Sequence, residues 1–181
     1  MTRLSVVAVA MVAAFGLELL GLPSWRIAPD RLAPDLRRVE RLVAAGRFSE
    51  ALPLAAEMRD RFPREPRVLW QLARVYDGLH RPSDEAAAWE AYLQLLAPTT
   101  AVCTRLSDLY RELRQPSQVV AIVDRCLAFD GEEPELLADA AVAQIELGDR
   151  RAALSALQQA AAIDPGNPRI AALLKDASAL P

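Results

Sequence analysis

The sequence predicts an all-α chain of about four stacked helical hairpins and a C-terminal capping helix, preceded by one N-terminal transmembrane helix. Three observations predict it. An apolar run fills residues 4–22, similar segments recur every 34 residues from residue 32 onward, and prolines stand where successive helices should begin.

The chain has 181 residues, 52% of them apolar, which suffices for one domain's core and an appendage. Its 21 basic and 24 acidic residues are spread along the chain and leave a net charge of −3, which excludes a nucleic-acid partner of the usual basic-stripe kind. Lys175 is the sole lysine and alanine is abundant, a compositional habit of GC-rich, bacterial genomes.

Residues 4–22 (LSVVAVAMVAAFGLELLGL) follow Arg3 and are interrupted only by Glu18. At about 1.5 Å per residue the run reaches roughly 28 Å, close to the thickness of a bilayer's hydrocarbon. Ala8-Val9-Ala10 and Val12-Ala13-Ala14 come too early for a cleavage site, and Leu22 and Ala28 each precede a proline. No cysteine near the end of the run offers a lipid anchor. An uncleaved signal anchor over residues 1–25 is therefore favoured over a cleaved signal or a helix buried in a soluble partner. Arg26, Arg31, Arg37 and Arg38 follow the run and argue for retaining the domain inside. The short leading tail argues more strongly for a single-pass protein of the bacterial inner membrane with its domain in the periplasm. Trp25 is placed as an interfacial anchor, with a linker over residues 26–32. Glu18 reads as an interfacial carboxylate, or, with Ala10, Ala13, Ala14 and Gly16, as the close-packing face of a subunit in a membrane complex.

The first recurring segment, LAPDLRRVERLVAAGRFSEALPLAAEMRDRFPRE, and the last, PELLADAAVAQIELGDRRAALSALQQAAAIDPGN, share their punctuation. Gly46 and Gly148 are followed by Ala51 and Ala153, then by Pro63 and Pro165. Such residues suit a tight turn, a small side chain where two helices cross, and a helix stop. In the second segment Leu69, Leu72, Ala73 and Tyr76 fill the first helix's core positions. Ala86 is matched to the small position by allowing one extra residue in the turn GLHRPS, and Pro98 ends the segment. The third presents Cys103, Leu106, Ser107 and Tyr110, then Val119, Val123 and Cys126, with Gly131 in place of proline. Spacings of three and four give each helix one apolar stripe. Pro34, Pro66, Pro82, Pro116, Pro134 and Pro168 open helices, whereas Pro53, a turn inside one, should kink it or delay its start. Asp35 and Arg38 replace apolar residues and make the first repeat degenerate. RIAALLKDASAL, after Pro168, reads as an amphipathic cap on the fourth.

This pattern resembles the tetratricopeptide repeat over residues 32–168, with repeats at 33–65, 66–99, 100–133 and 134–168 and a cap at 169–181. The resemblance implies a right-handed superhelix whose concave face, lined by the first helix of each repeat, receives a peptide or a partner's helix. Carried through the register, that face comprises Arg67, Trp70 and Arg74, then Thr104, Asp108 and Arg111, then Ala138, Val142 and Ile145. Trp70 beside two arginines has the composition of a binding hot spot, although a shift of one position would place it in the core. The family's carboxylate clamp is not reproduced, because its first two positions read Leu36 and Glu40, and chaperone tails are disfavoured as ligands.

Cys103 and Cys126 fall on one hairpin and admit two readings, a disulfide outside the cytoplasm or two buried free thiols. Neither their number nor their spacing suits a zinc site. His80, in a turn, is the single histidine, no nucleophile–base pair is visible, and no phosphate-binding glycine motif occurs. Asp124, Asp130, Glu132 and Glu133 read as a solvated acidic patch. The expectation is a protein that is not an enzyme and has no cofactor, metal or small-molecule substrate. It would be a scaffold for assembling or maturing a membrane or periplasmic complex, an accessory subunit of one, or a secreted soluble adaptor. Its partners would be a protein client and, through the N-terminal helix, the bilayer.

Overall fold

The computed structural model describes residues 32–130 and 133–179, and the regular elements among them are all α-helices. In chain order these are α1 (Ala33–Ala44), α2 (Phe48–Arg61), α3 (Pro66–Gly78), α4 (Pro82–Leu93), α5 (Thr100–Glu112), α6 (Pro116–Asp130), α7 (Pro134–Glu146), α8 (Arg150–Ile163) and α9 (Pro168–Ala179). The helix expected over residues 1–25, with its packing residues Ala10, Ala13, Ala14, Gly16 and Glu18, lies outside the described residues. No helix among the described residues is long and apolar enough to cross a membrane.

Proline opens α3, α4, α6, α7 and α9, where its missing N–H costs no hydrogen bond. Side chains cap other ends: Asp149 Oδ1 accepts from the Ala152 amide at 2.9 Å, and Asn167 Oδ1 from the Arg169 amide at 3.1 Å. Pro53 does not delay its helix, since α2 already begins at Phe48 and continues through it.

The turn inside each hairpin repeats with a period of 34. Gly46, His80, Arg114 and Gly148 all have positive φ, at 69°, 52°, 56° and 83°. Each is followed by a residue whose amide reaches back to the last turn: Arg47 to Leu42 O, Arg81 to Tyr76 O, Gln115 to Tyr110 O and Asp149 to Gln144 O, at 2.8–3.0 Å. This is the left-handed stop that satisfies a helix's last carbonyls. The turn at Gly78-Leu79-His80 therefore contains no extra residue. His80 takes the conformation given to glycine elsewhere, and Gly78 stays in the helix against the ring of Phe48.

That correction moves the second repeat by one position. The small-residue slot is occupied by Ala51, Glu85, Val119 and Ala153, all buried and spaced by 34, so Glu85 stands in it and not Ala86.

Consecutive helices pack in sequence from α2 to α9, and α7 contacts both α5 and α9. The core runs along Leu69, Leu72, Val75, Leu106, Leu109, Val123 and Leu157, all buried. In the first hairpin Val39 and Val43 of α1 and Ala51, Ala55 and Met58 of α2 are buried, and Arg61 of α2 reaches Asp35 of α1 at 2.7 Å. Two voids of about 260 and 390 Å³ open beside this pair, one lined in part by Asp35 and Arg38 and the other by Arg38. These are the polar residues that stand where other repeats carry apolar ones, and they leave open hollows on the outside of a hairpin whose interior Val39, Ala51, Ala55 and Met58 close.

Candidate functional site

Trp70 and Arg74 on α3, and Thr104, Asp108 and Arg111 on α5, are all exposed, each set spaced by three or four residues along one side of its helix. Arg67 is also exposed, at the start of α3. Trp70 stays 37% exposed because the slot beneath it is filled by Trp89, whose ring meets it edge-on at 4.8 Å, while Tyr92 lies 5.6 Å away. The three rings form one cluster, which fixes the indole before any ligand arrives. Around it Glu40, Pro66, Gln71 and Leu96 complete a shallow pocket of about 240 Å³. Gln71 is buried there, and its Oε1 has no donor among the described residues.

The charges on these two helix sides differ in their freedom. Arg74 has no carboxylate partner among the described residues, whereas Arg111 Nη1 lies 3.1 Å from Asp108 Oδ1 and 3.6 Å from Asp139 Oδ1. A cation without a partner beside a pinned aromatic can take an acidic group of a ligand together with an apolar one.

The residues expected to form the apolar end of the face are buried or half-buried. Ala138 is fully buried in a cluster with Leu137, Ala141, Leu157 and Ile170, and Ile145 packs half-buried against it. Val142 is half-buried. The cause is α9, which docks on α7 and α8 and is tied down by Arg169, whose Nη2 donates to Asp139 Oδ1 at 2.5 Å and whose Nη1 donates to Glu135. Ser107 Oγ also donates to the 5% exposed Asp139, at 3.1 Å.

Sequence reasoning missed a second polar knot. Glu85, 2% exposed, receives Arg105 Nε and Nη2 at 2.7 Å and Trp89 Nε1 at 3.1 Å, while Arg105 Nη2 also reaches Asp77 Oδ1 at 2.5 Å. The hydrogen bond to Glu85 raises the Arg105 guanidinium above its usual range. One guanidinium, that of Arg105, thus joins α3, α4 and α5 behind the Trp70 cluster. The signal was present in the sequence as an acidic residue at the small position, had the turn been read without an insertion. Tyr110, whose hydroxyl donates to Glu90 Oε1 at 2.9 Å, has its pKa pushed up by burial and by that bond.

Cys103 and Cys126 are joined by a disulfide between α5 and α6, with Cα atoms 6.2 Å apart. His80 is exposed at its turn.

Residues 110–177 match the family Tetratricopeptide repeat. No curated protein matches the chain by sequence. Among solved structures MamA superposes with a TM-score of 0.68 at 14% identity, over 80% of this chain and 79% of that one. YrrB, described as a TPR protein with an unusual peptide-binding site, gives 0.66 at 15% over 81% and 75%. MamA 41-end from Desulfovibrio magneticus RS-1 gives 0.66 at 15% over 82% and 84%. At such identities the likeness is one of fold. Residues 110–177 thus match the tetratricopeptide-repeat family, and the described hairpins share the fold of these solved structures.

Proposed function

We propose that the chain is a non-enzymatic scaffold that holds a protein client on these exposed sides of α3 and α5, and that residues 4–22 anchor it to a membrane while it assists assembly or maturation of a complex. The observation that carries this is the pinned, exposed Trp70 beside Arg74, which has no carboxylate partner among the described residues. The client segment that suits it carries an aromatic or aliphatic side chain near an acidic one. Peptide binding by YrrB, a protein of the same fold, supports the choice of a peptide-like ligand. The Cys103–Cys126 disulfide supports an oxidising compartment, and with it a periplasmic domain. Anchoring rests on the 19-residue apolar run.

A second reading, a permanent accessory subunit of a membrane complex, is favoured by Ala10, Ala13, Ala14 and Gly16 beside Glu18 in that run. Co-purification of the tagged full chain from its own membranes in mild detergent separates the two. Recovery of one substoichiometric client, lost at least tenfold in Trp70→Ala with Arg74→Glu at unchanged helicity, supports the scaffold. A fixed-ratio membrane complex that survives both substitutions sinks it in favour of the subunit.

A further inference from the structure

On α1 the buried residues Leu36, Val39 and Val43 define the inward side. At about 100° per residue, Arg37, Arg38 and Arg41 fall within an arc of roughly 100° on the opposite side. All three are exposed, and none has a carboxylate partner among the described residues. The one hydrogen bond any of their side chains makes there is Arg41 Nε to the Arg37 carbonyl, at 3.3 Å. Other arginines of the fold are paired, as with Arg61 and Asp35 at 2.7 Å or Arg105 and Glu85, and those without a carboxylate partner among the described residues, such as Arg74 and Arg114, do not gather three to a helix face. Three like charges within two turns weaken a helix unless an anion sits over them.

The void of about 390 Å³ beside this face is lined by Arg38, Arg41, Arg47, Leu42, Glu50 and Leu54. Its one acid, Glu50, is already held by Arg47 Nε and Nη2 at 2.7 and 2.5 Å, a bond that lowers the carboxyl's pKa. The even spread of charge read from the sequence conceals a division. Residues 1–47 carry 7 basic and 4 acidic side chains, a net +3, whereas residues 48–181 carry 14 and 20, a net −6.

We propose that Arg37, Arg38 and Arg41, with the void closed by Arg47, bind the headgroups of anionic phospholipids. The site takes a phosphodiester between Arg38 and Arg41, while the acidic remainder of the chain is repelled, so that α1 is the helix turned to the surface. A long polyanion such as nucleic acid would meet that acidic remainder as well. The inference rests on the membrane reading above for its setting: about 15 residues separate Leu22 from Arg37, a reach of at most ~50 Å.

The test places the full chain in lipid nanodiscs of phosphatidylcholine, with or without phosphatidylglycerol, and follows amide exchange over residues 33–61. Expected is about tenfold slower exchange in α1 with phosphatidylglycerol, absent with phosphatidylcholine alone. It should vanish near 0.5 M salt, where screening acts within about 4 Å, and in the variant Arg37→Gln, Arg38→Gln, Arg41→Gln. If the chain fails to enter either disc, anchoring is wrong but the headgroup site is not yet overturned. Detergent-free titration with phosphatidylglycerol vesicles then decides, with an expected loss of about a hundredfold in the triple variant, at about fivefold per arginine. Equal protection by both lipids, an unchanged triple variant, or equal protection by a DNA oligomer overturns the proposal.

Discussion

The guanidinium of Arg105 on α5 holds the buried carboxylate of Glu85 on α4 through two contacts of 2.7 Å, Nε to Oε1 and Nη2 to Oε2. Glu85 stands in the slot that Ala51 and Ala153 fill in other hairpins, so a charged pair does the work of a methyl group there. Removing Arg105 leaves the Glu85 carboxylate without its cation, with Trp89 Nε1 as its remaining donor among the described residues, at 3.1 Å. Arg105→Ala should lower unfolding stability by about 3 kcal/mol in urea titration. Glu85→Ala combined with Arg105→Met should recover all but about 1–2 kcal/mol, the remainder reflecting Trp89 Nε1 without its acceptor.

His80 and Arg114 adopt the left-handed conformation that Gly46 and Gly148 supply in the outer hairpins. A Cβ disfavours that region by about 1 kcal/mol. Each of His80→Gly and Arg114→Gly should therefore stabilise the fold, by up to about 1 kcal/mol, with no change in the secondary structure seen by circular dichroism. Destabilisation by either would show that its side chain makes contacts worth more than the strain.

The Cys103–Cys126 bridge closes a loop across a sequence separation of 23. Loop-closure entropy assigns such a bridge about 3 kcal/mol, so reduction should lower the melting temperature by roughly 6–12 °C. Alkylation without reductant should leave the mass unchanged, while the reduced control takes two labels. Two labels without reductant would exclude the bridge in the native protein.

Acid should loosen the capping helix. Hydrogen bonds from Asn167, then Arg169, lower the Glu135 carboxyl below its ordinary value of 4.5. A carboxylate with a lowered folded pKa stabilises above its unfolded value, and the benefit is lost as pH falls through the folded one. Wild type should exceed Glu135→Gln in stability at pH 7, and the gap should close below pH 4.5. A gap that persists to the lowest pH at which the protein stays folded would assign the effect to something other than charge.

Much of the fold was legible because it is local. The 34-residue period, the prolines at helix starts and the core positions Leu69, Leu72, Leu106 and Tyr110 follow from backbone chemistry and from one apolar stripe per helix, both written into short stretches of sequence. The exposure of Trp70, Arg74, Thr104, Asp108 and Arg111 follows from the same spacing.

What only the tertiary structure decided involves residues 20 to 35 positions apart, brought together by helices whose relative placement no periodicity encodes. Glu85 was passed over because its neutralising partner, Arg105, sits on the next repeat. Ala138 carries a groove position in the register yet is buried, because α9 folds back and Arg169 reaches Asp139 across 30 residues. Asp35 and Arg38 marked the first repeat as irregular, but only packing showed the consequence: the interior closes on Val39, Ala51 and Met58, and a hollow lined by arginines remains on the outside. Sequence set the helices and their faces; the docking of each hairpin on the next chose which polar residues were paired, buried or left open to a ligand.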